Sequence, residues 1–79
     1  MTNEEALSLI EAELKHAREK HGEHFSDWIE MYIALCEEIT EISSAIIKGD
    51  IHGEHGVKRE LAQVAAVCIK ALEGMDESR

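Results

Sequence analysis

The stretch CEEITEI, residues 36–42, sets Glu37, Glu38 and Glu41 among apolar neighbours, and ELAQ, residues 60–63, adds Glu60 and Gln63 at the same i, i+3 spacing. On a helix, residues three apart are separated by about 60° around the axis. Glu38 and Glu41 therefore share one side of their helix beside the Leu35/Ile42 seam, while Glu37 points away as a supporting or solvent-facing acid. The same geometry puts Glu60 at the edge of a Val57/Leu61/Val64 stripe, with Gln63 one step further round. If the two helices pack antiparallel, three carboxylates and an amide converge in one groove. Carboxylates so placed resist ionisation unless a cation stands between them. Oxygen-only ligands suit a hard cation, Mg²⁺ or Mn²⁺, which retains waters and takes phosphate oxygens as further ligands. On spacing alone the more ordinary reading is a set of solvated glutamates, offset by Lys48, Lys58 and Arg59.

The elements that must position these residues read as helices throughout. There is no proline, and apolar residues recur with a helical rather than an alternating period. A first helix opens on Thr2-Asn-Glu-Glu5, a capping-box pattern, carries Leu7, Ile10, Leu14 and Ala17, and ends at Gly22. A second starts at a Ser26 cap and carries Trp28, Tyr32, Leu35, Ile39, Ile42 and Ile46 as far as Lys48, with Gly49 beyond. Ile29, Ile33, Cys36 and Ile47 widen its stripe. After the loop GDIHGEHG, a third helix carries Val57, Leu61, Val64, Cys68, Ala71 and Met75, and residues 75–79 read as a frayed tail. LAQVAAVCIKAL, within that helix, is apolar nearly all round, so it must be buried on several sides. Two other helices of so short a chain scarcely cover it. The expectation is a single all-α domain, 1–79, whose three helices complete a four-helix-bundle-like homo-oligomer, a homodimer or homotetramer.

A chain of 79 residues buries a modest core. With 17 acidic against 8 basic residues, net charge −9, its surface repels nucleic acid and anionic lipid, so neither nucleic acid nor membrane is expected as a partner. A phosphate-bearing partner needs a metal bridge. Leu61 to Leu72 is too short and too interrupted to span a bilayer, and Cys36 and Cys68, within apolar patterns and with no secretory signal ahead, read as buried thiols. The expected location is cytoplasmic.

EEITE (37–41) followed by ELAQ (60–63) resembles the EExxE…ExxD signature of the MazG-like, all-α nucleoside triphosphate pyrophosphohydrolases. The likeness extends over HG at 21–22, Trp28, EEITEISSAIIKGD and KRELAQVAAVCIKALE, roughly residues 15 to 73, and is nearest to small phage- and mobile-element-type members. It implies a helical oligomer that cleaves a nucleoside triphosphate between the α and β phosphates with Mg²⁺, giving monophosphate and pyrophosphate. Position by position, Glu38, Glu41 and Glu60 match the family's metal-ligand glutamates and Glu37 the first, accessory acid of EExxE. Gln63 falls where the signature has Asp. An amide still offers a carbonyl oxygen to the metal, but it removes one negative charge.

Around this set, Trp28 reads first as a core or interface anchor and secondarily as a wall of a substrate pocket. Lys48, Lys58 and Arg59 read as exposed counter-charges that can also meet pyrophosphate oxygens. The spacings His21-x-x-His24 and His52-x-x-His55 raise zinc, but without a cysteine partner they read as solvated loop histidines; the resemblance places His21 or His24 within reach of the nucleotide. Two other functions compete with NTP hydrolysis. One is a non-catalytic helical oligomerisation module whose metal site is degraded at Gln63. The other is a pyrophosphohydrolase acting on a phosphoribosyl nucleotide, against which the ELAQVAAV likeness argues.

Overall fold

The computed structural model describes residues 1–77, apart from the side chains of His21, Asp76 and Glu77. Among them lie three helices and no strand: α1 (Asn3–His21), α2 (Trp28–Lys48) and α3 (Val57–Glu77). Thr2 caps α1 through a complete capping box, its hydroxyl accepting from the Glu5 N–H while the Glu5 carboxylate accepts from the Thr2 N–H. The α2 cap is Asp27, not Ser26: the Asp27 carboxylate accepts from the Glu30 N–H at 2.8 Å, and its charge complements the helix N-terminus. Gly49 ends α2 in the left-handed conformation, φ 71°, which a glycine adopts without strain. Helix α3 runs on through Gly74 and Met75 to Glu77, past the point where the sequence suggested fraying, and residues 78–79 lie outside the described residues.

The chain goes up, down and up again, and the last helix is the central one. Both α1 and α2 pack on α3, and among the described residues they do not pack on each other. Arg18 pairs with Glu73, and Glu13 with Gln63, so α1 runs parallel to α3, whereas Glu38 and Glu41 face Glu60 from an antiparallel α2. Small side chains make this possible. Ala62, Ala66 and Val67 of α3 are buried, with Leu14 of α1 and Ala45 of α2. The central place of α3 accounts for part of its all-round apolar sequence within one chain, while Leu61, Cys68 and Leu72 stay exposed, as expected of a helix that two neighbours only partly cover.

The register of α2 also differs from the expected one. Its least exposed residues are Met31, Ala34, Leu35, Glu38, Ile42 and Ala45, a seam with Glu38 at its centre. Trp28, Tyr32, Ile39 and Ile46 of the expected stripe are more than half exposed, as are Ile29, Ile33 and Ile47. An α2 apolar on most of its circumference leaves the choice of inner face to size, and alanines let α3 approach closely. On α3, Leu61 and Cys68 likewise face outward, and Cys36 and Cys68 are free and exposed rather than buried. No helix among the described residues is long and apolar enough to cross a membrane.

The 49–56 loop locks the start of α3. The Asp50 and Ile51 carbonyls accept from the Val57 and Lys58 N–H groups at 2.9 and 3.1 Å, and the Gly56 carbonyl accepts from Glu60 N–H at 3.0 Å. A side chain at Gly56 would come within 2.8 Å of the Ile51 carbonyl oxygen, so only glycine permits this close turn. Glu60, in the first turn of α3, is thereby held by backbone.

Candidate metal centre

Each helix places one glutamate where an apolar residue would ordinarily sit. Glu13 of α1 is 8 % exposed and Glu60 of α3 is 0 % exposed, while Glu38 of α2 is half-buried on the seam. Glu38, Glu41 and Glu60 come together, each offering a carboxylate oxygen within 4.8 Å of the others. Oxygens bound to one octahedral Mg²⁺ lie about 3–4 Å apart, so a small inward rotation of these side chains would suffice to share one ion. Both Glu60 oxygens and Oε2 of Glu38 are buried without a hydrogen-bond partner. Buried polar atoms are normally satisfied, and three orphaned carboxylate oxygens at one point call for a ligand. The donor set is hard and anionic, and it fits a divalent cation of the Mg²⁺ type.

The electrostatics agree with the geometry. Burial, and then the adjoining Glu41 and Glu38 carboxyls, push the Glu60 pKa up to about 8. Burial raises Glu38 as well; Glu41 adds to the rise, and the Glu60 contact and Lys20 oppose it. His55, reaching in from the loop, has Nδ1 3.7 Å from Glu60 Oε1 but is itself well exposed.

Around the cluster runs a groove of about 160 Å³ between α1 and α2, with α3 as its floor; Glu37, Glu38, Glu41 and Gln63 line it with Glu13, Lys20 and His55. Glu37 is exposed at its rim. Gln63 donates from Nε2 to Glu13 Oε1 at 2.9 Å, and Arg59 Nε lies 3.8 Å from Glu13 Oε2. Arg59 thus stands beside the groove. Lys58 and Lys48 are exposed on the outer surface, Lys48 in the last turn of α2. Trp28 is not brought to the carboxylates: ten residues, about 15 Å along α2, separate it from Glu38. It borders another cavity of about 370 Å³ with Phe25, Met31 and Lys70, whose buried ammonium lies 4.2 Å from the Phe25 ring centroid. The His21 side chain lies outside the described residues. Among the described residues no histidines gather into a metal-binding group of three or more.

Glu13, Lys20 and His55 are groove residues that sequence reasoning missed. For Glu13 a signal existed, since it stands three residues after Ile10 and four before Ala17, on the packing face of α1. No protein-family model matches the chain, and no match was found among curated proteins or solved structures.

Proposed function

We propose that the chain is a Mg²⁺-dependent nucleotide pyrophosphohydrolase that cleaves a (d)NTP to (d)NMP and pyrophosphate and works as a homodimer or homotetramer. The observation that carries this reading is Glu60, a fully buried carboxyl with no hydrogen-bond partner for either oxygen, facing Glu38 and Glu41. Such an arrangement is costly in a merely structural role. It is reasonable where a cation bridges the acids to a triphosphate. The EExxE…ExxQ order supports nucleotides as the substrate class.

Glu38, Glu41 and Glu60 would hold the ion, with Mn²⁺ an alternative to Mg²⁺, and the Gln63 carbonyl would offer a neutral fourth oxygen. When bound, the cation would neutralise phosphate oxygens and lower the pKa of a coordinated water. Glu37, at the rim, would orient the water and accept its proton as the oxygen attacks the α-phosphorus and the bond to the pyrophosphate leaving group breaks. Lys20 and Arg59 would meet the phosphate oxygens at the groove edge. In an acidic protein those two cations limit repulsion of the incoming anion.

A second reading, a non-catalytic oligomerisation module, is favoured by one observation: the Gln63 amide is tied to Glu13, as expected of a site that has given up a ligand. One experiment separates the two. The protein is incubated with a panel of NTPs and dNTPs plus Mg²⁺, and monophosphate and pyrophosphate are assayed. Hydrolysis to that product pair, abolished by Glu38→Ala, is the expected outcome. Absence of turnover together with absence of any Mg²⁺-dependent thermal shift would sink the enzyme.

A further inference from the structure

Gln63 leaves the carboxylate groove one acid short of the signature it resembles, and a buried acid on a different helix stands directly against it. We infer that Glu13 is a positioning residue that carries the charge displaced from position 63 and fixes which end of the Gln63 amide meets the cation. The inference rests on the metal-dependent reading above and deepens it.

The chemistry of the pair sets the orientation. Gln63 Nε2 lies 2.9 Å from Glu13 Oε1, and a carboxylate can only accept, so the NH₂ end of the amide is held toward α1. Its carbonyl oxygen is consequently turned to the other side. Gln63 follows Glu60 by one helical turn on the same side of α3, and both Gln63 and Glu13 line the groove that Glu38 and Glu41 share. An amide free to rotate would present oxygen or nitrogen to a cation; one held by Glu13 presents oxygen.

Charge is the second part of the inference. At 8 % exposure Glu13 bears a costly burial, relieved by the Gln63 amide and by Arg59 at 3.8 Å. An Asp or Glu at position 63 would face Glu13 as a second buried acid and repel it. The neutral Gln63 and the acidic Glu13 are therefore complementary, with one negative charge moved from α3 to α1. The competing explanation is a plain tether between α1 and α3, in which the charge has no bearing on the ion.

Mn²⁺ titration, followed by electron paramagnetic resonance and calorimetry on the full chain, distinguishes them. Glu13→Gln keeps the size of the side chain and a carbonyl that can still accept from Gln63; it removes the charge and turns an NH₂ in place of Oε2 toward Arg59. Its Mn²⁺ affinity is expected to fall by about 10- to 100-fold, the usual consequence of altering a residue that orients a ligand. The exchange variant Glu13→Gln/Gln63→Glu restores one hydrogen-bonded acid to the pair and is expected to recover most of that loss. Circular dichroism on each variant confirms the fold. Unchanged Mn²⁺ affinity in Glu13→Gln, or no recovery in a folded exchange variant, overturns the role of Glu13 and leaves the three-glutamate site standing. A wild-type protein that binds no Mn²⁺ overturns the site itself, and the two failures are thus told apart.

Discussion

A carboxyl group walled off from water, with no donor to stabilise its ionised form, keeps its proton well above the ordinary range. Glu60 is in this position: burial first, then Glu41 and Glu38 of α2, raise its pKa from 4.5 to about 8, while the exposed His55 of the loop approaches its Oε1. Between those two values the folded chain binds a proton that the unfolded chain has released, so stability falls as pH rises from 4.5 to about 8. A divalent cation competes with that proton. The thermal midpoint of the metal-free protein should therefore decline across this window, and Mg²⁺ should raise it more at the alkaline end than at the acid end. Glu60→Gln should flatten both trends, because a neutral amide has no proton to exchange. A wild-type melting curve indifferent to pH and Mg²⁺ across the window would show that the three acids are solvated. The residues of this cluster were legible from the i, i+3 spacing in EEITE and ELAQ. For Glu13 only its place on the packing face of α1 was legible; its relation to Gln63 spans fifty positions and arises only when α1 lies beside α3.

At the level of the helices, the termini were more legible than the faces. The Thr2 capping box, Gly22 and Gly49 act locally, and each ends a helix where its own chemistry requires. The shift from Ser26 to Asp27 is a shift between two competent caps, settled by which carboxylate or hydroxyl oxygen reaches an N–H two to three residues on. The inner face of α2 was beyond such local rules. With isoleucines on nearly every side, periodicity cannot choose; the seam that is buried is the one that carries Ala34 and Ala45, and α3, packed between two neighbours, buries Ala62 and Ala66. This makes Ala66, at 0 % exposure, a sensitive point of the fold. Ala66→Leu should cost about 1–3 kcal/mol, since the added volume must push α3 away from a neighbour. The measurement is urea denaturation monitored by helicity, and a midpoint equal to wild type would mean that the helices are less closely packed than described.

For the molecule as a whole, the open question is what covers α2. Ile29, Tyr32, Ile33, Ile39, Ile46 and Ile47 are each more than half exposed, a larger apolar surface than a small monomer ordinarily shows to water. A second copy is the occupant we propose, as part of the functional reading, and the placement of the acids gives it a consequence. Glu37 and Glu41 border the carboxylate groove and also a shallow depression of about 440 Å³ on this outer face, beside Tyr32, Ile33 and Cys36. A partner seated there would exclude water from Glu41 and strengthen its hold on a cation. Two chains of charge −9 repel, so association should tighten with added salt as well as with Mg²⁺. Ile29→Glu tests this from a position two helical turns before Glu37. In a free chain the change is at an exposed site and costs within about 0.5 kcal/mol, whereas in an interface it buries an unpaired charge. Light scattering should give the wild type a mass at least twice 8.9 kDa and the variant the monomer mass, with helix content unchanged. Mg²⁺ should then raise the variant's thermal midpoint less than that of wild type. If the wild type itself scatters as a monomer at about tens of micromolar, the second copy is not the occupant of α2, and any ion the groove takes would meet a Glu41 open to water.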